Sequence, residues 1–380
     1  MKFNGVFFAA VLLGIAPNLF AGPLLARQMG ESVVLAGREP AKLAFRPAPG
    51  RAFQVRSTYL PGLKTTVVYK PGIDYTVTPD GQLRRTPKSR IPDYATNDVY
   101  GLKSFDHLAH PGYGNSRFFA YVDYSYASPW AAQPPPPGLG AEALAGVHAK
   151  LLAGKQVTLV AFGDSVTAGA ESTAPELTYW ARWARQLRGK YPKASIASLN
   201  SGVGGDLSDD GLARLDAAVI AKKPDLVIIA FGLNDFNRGP FEIKLDKWAS
   251  RRAKWARSWA KFRDLPPPVQ TNRMERSEHF AMNLRAMVDR VKKETGADVI
   301  LVSALQPNPN WKYGSGDMAV FAAATESVAR EKGCAYVDAF HAWEDFSGRK
   351  RPEDLLANNA NHPNDFGHWI YLQALSALNL

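Results

Sequence analysis

One cysteine, Cys334, is all the thiol chemistry that 380 residues contain. It excludes an intrachain disulfide framework and any cysteine-based zinc site. Its neighbours in Gly333-Cys334-Ala335-Tyr336-Val337 are apolar, so a buried structural thiol is expected. Long hydrophobic runs are equally scarce. The stretch from Val6 to Ile15 is short for a membrane span. With Lys2 before it and Leu19-Phe20-Ala21 after it, residues 1–21 read as a secretory signal peptide, with an uncleaved anchor as the alternative. No cysteine follows the stretch to accept a lipid. The expected address is therefore secreted or periplasmic. Acidic residues are the minority charge: 35 Asp and Glu against 46 Lys and Arg give a formal charge of +11. That excess favours solubility and attraction to anionic surfaces. It does not indicate nucleic acid, since no helix-turn-helix, zinc-finger or RNA-binding pattern is present. His107-Leu108-Ala109-His110 lacks the further ligands a metal would need, and neither metal nor cofactor is expected.

The length suits two domains and a large core without staples. Residues 22–133 are β-rich. Phe53-Gln54-Val55-Arg56, Thr65-Thr66-Val67-Val68-Tyr69 and Tyr75-Thr76-Val77 are separated by Pro-Gly and Pro-Asp-Gly turns. Arg117 to Tyr124 closes the segment, and the spacing predicts a small β-sandwich or jelly roll. Pro134 to Pro137 followed by Gly138 mark a semi-rigid linker, with residues 134–150 leading into the next unit. From 151 to 380 the texture changes. Strands are predicted at Val157–Phe162, Ser195–Leu199, Leu226–Phe231, Val299–Ala304 and Ala335–Ala339. Helices are predicted near Glu176–Lys190, Ser208–Ala221, Arg276–Thr295, Ala319–Lys332 and Phe366–Leu378. This alternation implies an α/β unit with a parallel sheet covered on both faces. No internal repeat is visible.

Four polar segments fall at strand ends or in loops of this unit: Gly163-Asp164-Ser165, Asn200-Ser201-Gly202-Val203-Gly204-Gly205, Gly232-Leu233-Asn234-Asp235 and His362-Pro363-Asn364-Asp365-Phe366-Gly367. A serine between a strand and a helix stands where α/β folds expose reactive groups. In order and kind the four segments resemble the SGNH (GDSL) hydrolase superfamily, from roughly Gln156 onward. The resemblance implies a flavodoxin-like three-layer α/β/α fold and ester hydrolysis. Ser165 would be the nucleophile. The Ser165 and Gly202 amides and the Asn234 side chain would form the oxyanion hole.

Seven histidines compete for the base. His107 and His110 lie in the front unit, His148 precedes the first core strand, and His279 falls within a predicted helix. His341 follows the last predicted strand. His362 matches the family position, from which a neutral imidazole could take the Ser165 proton. His368 lies further along the same helix and reads as packing. The family usually carries Asp three residues before this histidine, where this chain has Asn359. Three arrangements stay open: Asn359 orients the imidazole, another acceptor does, or a Ser-His dyad works with a backbone carbonyl, as in some carbohydrate esterases of the superfamily. Asp365-Phe366-Gly367-His368 offers a second register.

Between Asn234 and Arg276 lies a long insertion, basic and tryptophan-rich over residues 244–268. Trp248, Trp255, Trp259 and Phe262 share one helical face, with Arg252 among the cations around it. Such a helix would pack its tryptophans on the body or on the front domain. Alternatively it would rim the site, with Trp248 and Trp255 stacking on sugar rings and Arg252 meeting anions. Membrane-surface binding is a third option. A β-sandwich joined to such a hydrolase resembles the layout of acetyl esterases acting on plant polysaccharides. The substrate expected is an acylated carbohydrate or another ester. Lipase, arylesterase or thioesterase activity, or a degenerate hydrolase that only binds polysaccharide, are the alternatives.

Overall fold

The structure, a computed structural model, describes residues 25–127, 129–236, 273–314 and 316–380. The front unit is made of short strands punctuated by glycine and proline turns. Strands β1 (Leu25–Val33), β2 (Phe53–Arg56), β3 (Val68–Tyr69) and β6 (Ala120–Ala127) form an antiparallel sheet in the order β1-β6-β2-β3. Strands β4 (Tyr75–Val77) and β5 (Leu83–Arg85) make a separate ribbon. β1 is absent from the sequence reading for a physical reason. Gln28, Glu31 and Ser32 are buried, and Gly30 at φ +65° sits in a bulge between Gln28 and Glu31, so polar–apolar alternation is lost.

Among the described residues the front unit holds one sheet and one ribbon, not the two stacked sheets of a sandwich or jelly roll. The second layer is the α/β unit itself. Phe45 meets Phe346 edge-on at 5.9 Å, Trp130 meets Phe346 at 4.8 Å, and Phe346 meets Phe366 at 5.6 Å. One apolar cluster therefore runs from Val33 and Val55 through both units.

In the α/β unit β7 (Gln156–Gly163), β8 (Ser195–Gly202), β9 (Leu226–Ala230), β10 (Asp298–Val302) and β11 (Ala335–Val337) are all parallel, in the order β11-β10-β9-β7-β8. Their apolar runs are buried on both faces, with Leu159, Val160, Ile228 and Ile300 fully enclosed. The winding reverses at β7. Right-handed crossovers then place α3 (Tyr179–Lys190) on one face and α4 (Ser208–Ala218), α5 (Arg273–Thr295) and α6 (Met318–Lys332) on the other. The helix contacts follow suit: α4, α5 and α6 pack in series, and α3 packs with α9 (Asp365–Ser376). This is the three-layer flavodoxin-like arrangement, whose ligand crevice opens at the strands' carboxyl ends beside the switch point. The expected strand at Ala335–Ala339 stops at Val337, because Asp338 accepts from His341 N–H and starts α7 (Ala339–Ser347).

Polar seams fasten the units. Lys350 Nζ donates to Glu31 Oε1 at 2.8 Å with neither side chain exposed, and Tyr124 donates to the other carboxylate oxygen. Val34 N–H donates to Asp354 at 2.8 Å, and Asn364 Nδ2 donates to Ser32 Oγ at 2.9 Å. Residues 1–21 and 244–268 lie outside the described residues. Removing one partner of a fully buried ion pair strands the other charge, at a cost of about 3–5 kcal/mol. Lys350 keeps the buried Asp354 carboxylate at 4.0 Å, so Glu31→Gln is expected to lower stability by less than that, about 1–3 kcal/mol, in a denaturant titration. A change below about 1 kcal/mol would mean the pair is dispensable.

Candidate active site

Gly163 ends β7 where no other residue fits: a Cβ there would fall 2.3 Å from Ala230 O and 2.4 Å from Thr167 Oγ1. Asp164 caps the next helix, α2 (Ser165–Ala168), by accepting from Val166 N–H at 3.0 Å. Ser165 is the first residue of that helix. Its N–H therefore has no intrahelical acceptor, and it donates to no described residue. The helix ends after one turn at Gly169, φ +93°. The result is a serine hydroxyl and an adjoining amide at the carboxyl edge of the sheet.

His362 is carried by a tight hairpin in which Leu356 pairs with Pro363. Asn358 Oδ1 gathers the N–H groups of Ala360, Asn361 and His362 at 3.1, 2.9 and 2.8 Å, which shapes the turn. Nε2 of His362 lies 2.9 Å from Ser165 Oγ. Burial pushes the imidazole down to about 4, and no carboxylate offsets it. The base is thus neutral at ordinary pH, as proton abstraction requires.

The structure does not bring Asn359 to the imidazole. Its Nδ2 donates to Tyr94 Oη at 3.2 Å, and its Oδ1 accepts from Asn308 Nδ2 at 3.1 Å. Its φ of +56° lies in the left-handed region that asparagine tolerates. Asn359 shapes the loop and does not orient the ring. The second register also fails. His368 is fully buried and stacks on Tyr179 at 6.2 Å, while Asp365 accepts from Thr173 N–H and Oγ1 at 3.0 and 2.6 Å. Of the other histidines, His279 is engaged with Asp209, His341 with Asp338 and His107 with Trp311 Nε1, and His148 packs against Tyr191 at 6.1 Å.

Asn234 reaches the site from the turn after β9. One amide hydrogen goes to Asp206 O at 2.9 Å, which leaves the second to donate. Gly202 is corrected. Its N–H donates to Asn200 Oδ1 at 2.8 Å, and a Cβ would lie 2.2 Å from Ala168 N, so it is a packing glycine beneath α2. The amides of Gly204 and Gly205, further along the same motif, donate to no described residue. A Cβ on Gly204 would meet Ser165 Cβ at 4.0 Å, and Gly205 has φ +85° with open space around it.

Arg214 was not legible as a site residue. Its buried guanidinium donates to Ser201 O at 2.7 Å, Gly163 O at 3.0 Å and Asp206 Oδ2 at 2.6 Å, over the face of Phe162. It ties the nucleophile strand to the glycine loop. A lone arginine within Leu212-Ala213-Arg214-Leu215 was the only available signal. Beneath the serine, Asp164 is pushed up to about 7 and Asp235 to about 6, in each case chiefly by burial. Asp235 accepts from Ser208 N–H at 3.1 Å and Ser208 Oγ at 2.5 Å, capping α4. Among the described residues no group of three His, Cys, Asp or Glu could hold a metal ion. Trp248, Trp255 and Arg252, the expected substrate contacts, lie outside the described residues.

A stretch of 82 residues is 35% identical to thioesterase 1/protease 1/lysophospholipase L1 of Escherichia coli (strain K12), covering 22% of this chain and 36% of that protein. The match therefore spans about a third of that relative's length. Among solved structures, a two-domain esterase active on acetylated mannans is 22% identical over 63% of this chain and 53% of its own, with a TM-score of 0.45. An acetylxylan esterase from Geobacillus stearothermophilus is 24% identical over 59% of this chain and 94% of its own, with a TM-score of 0.43. The model of the GDSL-like lipase/acylhydrolase family matches residues 161–370, which takes in Ser165, the glycine loop, Asn234 and His362. With more than half of its length matched, the chain belongs to the GDSL-like lipase/acylhydrolase family.

Proposed function

We propose that this protein hydrolyses short-chain acyl esters, O-acetyl groups on carbohydrate foremost, through an acyl-enzyme on Ser165. The observation that carries the reading is the 2.9 Å approach of Ser165 Oγ to Nε2 of His362, whose burial favours the neutral imidazole. In this mechanism Ser165 Oγ attacks the ester carbonyl and its proton passes to His362 Nε2. The oxyanion accepts from the Ser165 amide, a glycine-loop amide and the Asn234 side chain. Collapse breaks the ester bond, and His362 returns the proton to the leaving alcohol. Water then attacks the acyl-serine, gives its proton to His362, and the acid departs with Ser165 restored.

The carbohydrate assignment draws on the two-unit layout and on the tryptophans and arginines that follow the Asn234 loop in sequence. Action outside the cytoplasm draws on residues 1–21. A thioesterase or lysophospholipase reading is favoured by the Escherichia coli relative.

Hydrolysis of p-nitrophenyl esters from acetate to octanoate separates these readings. Turnover concentrated on acetate is expected, and a preference for octanoate would favour the lipid reading. Ser165→Ala is expected to abolish turnover. Asn234→Ala is expected to lower kcat by about 100- to 1,000-fold. No turnover in the wild-type protein would leave only the polysaccharide-binding alternative. The pH profile has a definite sign. Activity needs the neutral imidazole, so it is present above the folded-state value and lost as pH falls through about 4. The acidic limb of kcat/KM belongs near that value, and a limb at about 6.5, the ordinary histidine value, would contradict the buried, neutral base.

A further inference from the structure

We propose that Asn115, in the front unit, is a positioning residue for His362: it holds the hairpin that carries the base, a task that a carboxylate would otherwise perform on the ring itself. The inference rests on the esterase reading above and names the device that orients its base. Three observations lead to it.

First, the ring has no orienting carboxylate. Asn359 stands where the family expects one, and its side chain goes to Tyr94 and Asn308. The ring's direction must then come from the backbone that bears it. Second, that backbone is held from outside its own unit. Asn115 is fully buried, and its Nδ2 donates to Leu356 O at 2.9 Å and Glu353 O at 3.2 Å. Its own N–H donates to Ala357 O at 2.6 Å. Ala357 N–H in turn donates to His362 O at 2.9 Å, so Asn115 acts on the peptide that is hydrogen bonded to the base. The remaining amide oxygen accepts from Asn97 Nδ2 at 3.3 Å, which fixes the amide's orientation. Third, the adjoining residue reaches the nucleophile's side of the cleft. Ser116 Oγ donates to Glu171 Oε2 at 3.1 Å, on the segment that follows the Ser165 helix.

The physical consequence is a matter of distance. Transfer of the serine proton requires Oγ and Nε2 within hydrogen-bond reach, and a misplacement of about 1 Å can cost about 100-fold in rate. Two carbonyls that lose their donor let the hairpin arm shift by amounts of that order. Aspartate at the position would set a carboxylate against two carbonyls, so the asparagine amide is a chemical requirement and not only a matter of shape.

The test is a double-mutant cycle on the full-length protein with p-nitrophenyl acetate. Asn115→Ala is expected to lower kcat by roughly ten- to 100-fold, with KM changed less than about twofold and a cooperative thermal melt retained. In a His362→Ala background the same substitution is expected to change the residual rate by less than about twofold, because there is no longer a base to position. A fully active, folded Asn115→Ala would overturn the proposal. So would an equal fold-loss in both backgrounds, which would mark Asn115 as merely structural. Should Asn115→Ala fail to melt cooperatively, Asn115→Ser, which keeps a small polar side chain, carries the same criteria. Ser165→Ala, run alongside, separates the two ideas. If it abolishes turnover while Asn115→Ala does not alter it, only the positioning role falls. If the wild type has no turnover, the esterase reading falls and this proposal with it.

Discussion

The carboxyl ends of parallel strands leave carbonyls without a neighbouring strand, and buried carbonyls must be satisfied. Arg214 meets this constraint where it matters most. One guanidinium serves Gly163 O at the end of the nucleophile strand and Ser201 O at the end of the next, and pairs with Asp206. The Asp206 carbonyl in turn receives the Asn234 amide. Nucleophile, glycine loop and amide donor arrive on three different strands, and this ion and its hydrogen bonds join all three. Arginine suits the position because its planar fork offers several fixed donors at once. Asp164 and Asp235 resist ionisation chiefly because they are buried, and Asp164 also feels the charges of Asp235 and Asp206.

The base arrives by a different route. Its hairpin lies outside the sheet, and the front unit secures it through Ser32, Val34, Tyr94 and Asn115. The front sheet is therefore part of the apparatus that places His362, not an appendage on a linker. The shared apolar cluster agrees, since Phe45 and Tyr126 of the front half stack at 4.1 Å beside Phe346 of the other. A missing carboxylate three residues before the histidine is tolerable when backbone geometry is fixed this firmly. The imidazole still lacks a charge to steady its protonated form, so burial depresses its titration unopposed.

Much of this was legible along the chain. The apolar runs and their spacing gave five parallel strands and the order of the helices between them, because a strand buried on both faces needs a continuous apolar segment. Gly163-Asp164-Ser165, Asn234 and His362-Pro363 stood out as candidate site segments through their order and their resemblance to the SGNH (GDSL) pattern, and the structure sets Ser165 Oγ 2.9 Å from His362 Nε2. Less legible were features that depend on partners far away in sequence. Gly202 and Gly205 look alike in a row of letters. Only the packing of α2 against β8 shows that one is filled by Ala168 and the other open. Asn359 looked like a substitute for aspartate until Asn308 and Tyr94 claimed it. β1 was hidden because the front sheet buries Gln28 and sets Glu31 against Lys350 and Ser32 against Asp354 and Asn364, so its polar residues face inward.

By itself the sequence determined the α/β winding and a serine between a strand and a helix, since those follow from local periodicity and turn chemistry, while its resemblance to the SGNH (GDSL) pattern singled out the histidine near its end. Tertiary structure alone decided which glycine amides remain available, which buried charges are paired, and how a base without a carboxylate is held. The physical reason is that hydrogen-bond satisfaction and burial belong to pairs of residues, often more than 200 positions apart, and no single segment contains both members.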